Sequence, residues 1–175
     1  MTSAPQRVTW KNEGQIRVFT YKEGLLSKIA HDLQIEATQF EINLNDTGVL
    51  ASIQTNGLHV LGTMRNGQLD ENELRLKDRR DIEHNMKDRI LQGALHPVIA
   101  FNGELQRTQS TLEVSGTLSL IQRSVPISFV LRENADHWHA NVELVPSRWG
   151  IKPFRALMGA IKLQDRVRIE LQLPL

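Results

Sequence analysis

"TLEVSGTLSLIQRSVPISFVL", residues 111–131, alternates without a break on either side of one short turn. Leu112, Val114, Gly116, Leu118 and Leu120 share one face, against Glu113, Ser115, Thr117 and Ser119 on the other. After a turn near Gln122–Arg123, Val125, Ile127, Phe129 and Leu131 repeat the pattern. A period of two with one apolar face marks strands that pack on one side and meet water on the other. Two of them across a short turn predict an antiparallel hairpin. Trp138, Ala140, Val142 and Leu144 extend the pattern, and Val167, Ile169, Leu171 and Leu173 repeat it near the end. Pro126 falls near the start of its strand, where a missing N–H is tolerated.

Upstream the signal is less even. "QIRVFTY", residues 15–21, sets Ile16, Val18 and Thr20 against Arg17, Phe19 and Tyr21, so its core face is open. In residues 32–44, Leu33, Ile35 and Ala37 are odd while Phe40, Ile42 and Leu44 are even. A one-residue slip reverses every side chain, so a bulge is expected near Thr38–Gln39. "NDTG" at 45–48 reads as a hairpin turn and "VLASIQT" as the returning strand. Residues 70–91 break the strand period. Glu73/Lys77 and Glu83/Lys87 are spaced i,i+4, and Ile82, Met86 and Ile90 form a thin apolar stripe. They predict one amphipathic helix, with Asp78 as its N-cap and Gly93 as its stop. His96–Pro97 then forces an extended start to "VIAFNGEL".

Evenly spaced strands with one covering helix predict an all-β fold, an antiparallel up-and-down barrel of about eight strands with short helical turns. The chain reads as one domain over residues 1–175, with a short N-terminal extension over 1–9. The apolar faces turn inward, so Ile35, Ile42, Ile53, Phe101, Leu112, Val114, Ile127, Phe129 and Trp138 should line the interior. A lumen of about eight strands is either just filled by side chains or holds one small ligand.

Composition narrows the function classes. Hydrophobic residues make up 40% and charged residues 23%, as in ordinary globular proteins. A net charge of +1 argues against bulk nucleic-acid binding, so no nucleic-acid partner is expected. With no cysteine there is no disulfide, thiolate metal site or cysteine nucleophile. "MTSAPQRVTW" lacks the apolar run of a signal peptide, and no apolar stretch reaches the roughly 20 residues of a transmembrane span. A cytoplasmic protein is expected, or a periplasmic one if an upstream segment is missing.

His31–Asp32 resembles the metal-binding pair of certain phosphohydrolases, but the other histidines lack supporting ligand spacing. His137 and His139 share a strand face around Trp138 and could chelate a metal, though such a pair is more often a solvated face. Neither a metal nor another cofactor is expected. The pair reads first as the hinge into a long strand, with residues 24–30 as a short helical turn at the rim carrying Leu25, Leu26 and Ile29 inward. Residues 146–168 carry six cations against Asp165 alone, beside Trp149, Phe154, Leu157 and Met158. The plain reading is an apolar loop tucked over a barrel end; the sharper one is a cationic ring at an apolar mouth, suited to an amphiphile with an anionic head. On the sharper reading, residues 146–163 control access to the lumen.

The order of these pieces resembles the YceI-like, lipocalin-like polyisoprenoid-binding domain family. The likeness is carried by "AHDLQIEATQFEINL" (30–44), "LQGALHPVIAFNGEL" (91–105), "VSGTLSLIQRSVPISFVL" (114–131) and "SRWGIKPFRALMGAIKLQDRVRIELQL" (147–173). It covers essentially residues 10–173. The turn "IQRS" departs from the His–Gly pair of many members, and many members are exported. The resemblance implies a bacterial barrel that holds an isoprenoid or fatty-acid-like chain without catalysis. The ligand contacts expected are Phe19, Leu26, His31, Ile35, Ile42, Ile53, Phe101, Leu112, Val114, Ile127, Phe129 and Trp138, joined at the mouth by Arg148, Trp149, Phe154, Arg155 and Met158. A homodimer is left open. Two other functions stay open as well: a hydrolase or isomerase using His31, Asp32 or His96 on such a ligand, and a filled barrel that binds a partner through its basic C-terminal end.

Overall fold

A computed structural model describes residues 7–24 and 31–175. Its strands are β1 (Val8–Lys11), β2 (Gln15–Lys22), β3 (Leu33–Ala37), β4 (Phe40–Leu44), β5 (Gly48–Gln54), β6 (Leu58–Arg65) and β7 (Gln68–Asp70). The helix α1 (Leu76–His84) follows and runs on through wider, π-helical turns over Asn85–Ile90. Then come β8 (Val98–Arg107), β9 (Thr111–Leu120), β10 (Arg123–Asn134), β11 (His137–Leu144), β12 (Arg155–Ala156) and β13 (Ile161–Pro174).

All of them belong to one curled antiparallel barrel sheet. Twelve strands lie along it in the order β1-β4-β5-β8-β9-β10-β11-β13-β2-β3-β6-β7, with the two-residue β12 attached to β13. The expected count of about eight is therefore too low. Three runs are each cut by a kink into two strands: β1/β2 at residues 12–14, β3/β4 at 38–39, and β5/β6 at 55–57. The short arm β7 adds to the count. β1 also begins at Val8, inside the expected N-terminal extension.

The three kinks form one crease across neighbouring strands. Asn12 N–H donates to the Phe40 carbonyl, and Phe40 N–H to the Asn12 side chain at 2.7 Å. Thr38 N–H donates to the Gly57 carbonyl and Gln54 N–H to that of Gln39. Each polar group freed by one break is thus satisfied by the next, as buried backbone requires. Gly57 permits the approach, because a Cβ there would lie 2.7 Å from the Gln39 Cβ. The break at Thr38–Gln39 absorbs the phase slip, so Leu33, Ile35, Ala37, Phe40, Ile42 and Leu44 are all buried.

The barrel's two ends differ. Tight connections over 45–47, 108–110 and 135–136 gather at one end, the base. Asn45 shapes the first, its side chain accepting from the N–H groups of Thr47 and Gly48. Near this end Trp10, Leu44, Leu105, Leu112, Leu131, Trp138 and Leu173 are buried, and Trp10 Nε1 donates to the Pro174 carbonyl at 3.0 Å. The long connections over 66–97 and 145–160 lie at the other end, where β2 also finishes at Lys22.

The helical region also departs from expectation. α1 starts at Leu76, and Asp78 lies in its first turn paired with Arg75 at 2.9 Å rather than capping it. Glu73 precedes the helix and turns to Thr63 and Arg65, not to Lys77. The left-handed residue after the helix is Gln92, one before the expected Gly93. Ile82, Met86 and Ile90 do pack on the core. Glu83 ties α1 to β6 by accepting from Val60 N–H at 2.8 Å, beside the register shift in β6.

Candidate functional site

The inner face is not buried throughout. Leu112 is wholly buried, but Val18, Ile53, Ile99, Leu118, Ile127, Phe129, Val167, Ile169 and Leu171 are only half-buried, though each packs against the core. They carry the same alternation as their buried neighbours, so they face inward. An inward-facing apolar side chain keeps contact with water where nothing fills the space beside it. The half-buried set therefore marks apolar room along the barrel interior, between the base and the buried Leu33, Val125 and Leu144 near the mouth. Thr20, paired with Leu33 and Val167 on this face, has a buried hydroxyl with no hydrogen-bond partner among the described residues.

Phe101 organises the wall. Its ring lies over the paired Gly103 and Gly116, where a Cβ on either glycine would come within 2.8 Å of it. It meets Phe129 at 5.8 Å between centroids, tilted by 52°. The two glycines make the floor on which the Phe101 ring can lie against the sheet, with Phe129 tilted beside it.

Residues 145–163 shape one side of the mouth. Pro146–Trp149 forms a short 3-10 turn that ends on left-handed Gly150. Trp149 is buried, and its Nε1 donates to the Leu118 carbonyl at 2.8 Å. The chain then turns outward, and β12 pairs with the start of β13 to form a small hairpin with Leu157 and Met158 at its tip. Arg148, Lys152 and Arg155 are exposed there, and Phe154 is half-buried.

The expected contacts therefore separate. Ile53, Ile127 and Phe129 belong to the half-buried inner set, with Ile35, Phe101 and Val114 buried among them. Ile42, Leu112 and Trp138 are buried core residues, toward the base. Trp149 is an anchor, while Arg148, Arg155 and Met158 stand outside the lumen. Leu26, with Leu25 and Ile29, lies outside the described residues. Phe19 is a correction. It pairs with Arg168, whose guanidinium carbon sits 4.1 Å from its ring centroid on the outer face. Arg166 covers Tyr21 in the same way, also at 4.1 Å. Leu118, Ile169 and Leu171 share the half-buried inner face but were not among the expected contacts, although their alternation was the available signal.

His31 and Asp32 serve structure here. The Asp32 carboxylate accepts from Lys22 N–H at 2.7 Å, and its carbonyl from Met64 N–H. His31 Nδ1 lies 3.8 Å from Glu73. Glu73 also accepts from the buried Thr63 hydroxyl and from Arg65 at 2.7 Å. The Thr63 bond, aided by Arg65 and opposed by partial burial, holds the Glu73 carboxyl below its ordinary range. A carboxyl depressed in the folded state adds stability above its unfolded pKa and loses it as the pH falls through the folded one. Glu73→Gln should therefore cost about 1 kcal/mol at pH 7. In urea unfolding, the gap to the unaltered protein should close as the pH falls below the ordinary glutamate range.

Among the described residues no group of three histidine, aspartate or glutamate side chains could hold a metal ion. His137 bonds its neighbour Asp136 at 2.6 Å. A groove of about 370 Å³ lies on the outer face, along Asn43, Leu50, Ala100, Asn102, Thr117 and Ser119. It is open to solvent and does not enclose a chain. No helix among the described residues is long and apolar enough to cross a membrane.

The fold has a solved counterpart. The chain resembles BcnA of Burkholderia cenocepacia with a TM-score of 0.61 at 8% identity, over 91% of this chain and 94% of that one. At that identity the likeness shows a shared fold and nothing of the ligand. No family model matches the sequence. No curated protein matches it either.

Proposed function

We propose that the protein binds and carries a long-chain amphiphile, isoprenoid or fatty-acid-like, in its barrel interior, without catalysis and as a YceI-like protein. The observation that carries this reading is the half-buried apolar set on the inner face. A polyprenyl or acyl tail completes that packing at about 0.8 kcal/mol per buried CH₂, before ordering costs. The unpartnered Thr20 hydroxyl gives a polar atom on the tail's path, and Arg148 and Arg155 outside the mouth suit an anionic head.

Native mass spectrometry of the purified protein tests the reading directly. A bound chain lipid is expected, displaced on titration with a fatty acid or polyprenyl phosphate. Leu118→Trp should fill the space and weaken that lipid at least tenfold, while stability changes by about 1–3 kcal/mol. A protein that carries no lipid and takes up neither probe would overturn the proposal.

A further inference from the structure

The hairpin joining β12 to β13 is built unlike a connection that only turns the chain. Leu157, Met158 and Gly159 have φ of 50°, 56° and 89°, three left-handed residues in succession. Glycine and asparagine adopt this conformation readily, whereas leucine and methionine do so at a cost. Among the other turns, Asn66–Gly67 uses the relaxed pair, and the left-handed Ile121 of the β9–β10 turn packs against the core. Here two large apolar side chains are held on the strained backbone and presented to water, Leu157 63% exposed and Met158 fully so. Packing does not explain them, because neither belongs to the core.

Their surroundings are cationic. Between residues 146 and 162 the chain has Arg148, Lys152, Arg155 and Lys162 and no carboxylate. None of the four makes an ion pair among the described residues. Lys22 and Glu23, on the strand end that meets β13 here, offset each other. An apolar tip in a collar of free cations is complementary to one surface above others: lipid headgroups of negative charge over hydrocarbon.

We propose that this hairpin is a membrane-docking tip that seats the barrel mouth on anionic bilayers, with Leu157 and Met158 inserted below the headgroups and Lys152, Arg155 and Lys162 among them. The docking does not require a lipid in the lumen, so it stands or falls apart from the carrier reading.

Co-sedimentation with vesicles of phosphatidylcholine, and of phosphatidylcholine with 30% phosphatidylglycerol, tests it. Partitioning onto the anionic vesicles should be at least tenfold stronger and should fall in 0.5 M NaCl, since surface charge is screened within about 3 Å at 1 M salt. The double change Leu157→Asn with Met158→Gly relaxes the turn, so the variant should fold with unchanged or raised melting temperature. It should nonetheless lose at least tenfold in partitioning. The chain has no cysteine, so Met158→Cys takes a single environment-sensitive fluorophore, whose emission should shift to the blue on anionic vesicles alone. Equal partitioning of the double variant and the unaltered protein would overturn the proposal. So would equal binding to neutral vesicles, or a tip whose removal only dissolves a dimer.

Discussion

Trp149→Ala should lower the stability of the protein by about 3–5 kcal/mol, the range for removing a buried tryptophan. Trp149 is 2% exposed and is the one large side chain by which residues 146–149 reach the core. The turn that carries it lies against β10 and β13, and its indole N–H satisfies the Leu118 carbonyl. Alanine removes the ring and leaves a void in a segment that has few other holds. For a chain of this length the loss corresponds to a fall in melting temperature of roughly 10 °C. Trp149→Phe keeps most of the packing and removes the hydrogen bond, so it should cost only about 1 kcal/mol more than packing differences. Urea unfolding of both variants measures the pair. A loss below about 1 kcal/mol for the alanine variant would mean that the segment is held some other way.

Gly116→Val should be as severe, about 3 kcal/mol or more, because nothing near it can give way cheaply. A Cβ there would lie 2.4 Å from the Asn102 carbonyl oxygen and 2.5 Å from the Gly103 Cα, both backbone. It would also meet the Phe101 ring at 2.7 Å and drive it from its place beside Phe129. On the carrier proposal, the variant should therefore lose lipid uptake together with stability. Glu113→Val, exposed on the same strand, is the control and should change stability by no more than about 0.5 kcal/mol. Thermal unfolding that found the two variants alike would remove the close packing of the glycine pair as an explanation.

The residues 111–144 were legible in sequence because each strand there has one wet face, so period alone assigns Leu112, Val114 and Leu131 inward. The same reasoning left the core face of residues 15–21 open, and Phe19 was expected on the ligand side. Its outward face is covered by Arg168, which arrives from a strand some 150 residues later. No local pattern can announce such a cover. The strand count failed for a related reason. The phase slip at Thr38–Gln39 exposed one kink, but those at residues 12–14 and 55–57 leave the alternation readable on each side and need the hydrogen bonds of the crease to be seen. At the mouth, the aromatic and cationic character of residues 146–163 was plain in sequence. Which residues anchor and which project was not, because Trp149 and Met158 differ in backbone geometry and partner, not in hydropathy.

The pairing of β2 with β13 has a further consequence, which concerns synthesis. It joins Gln15 to Gln172 and Lys22 to Leu163, so this seam ties a strand near the start of the chain to its last one. The hairpins β8–β9 and β9–β10 can form as soon as they leave the ribosome, since their partners are neighbours. β2 must wait until β13 has emerged. Contacts of such long separation form late and slowly. Through that interval the nascent chain presents an unpaired strand edge with Ile16 and Val18 uncovered, the kind of surface that chaperones hold and that aggregates recruit.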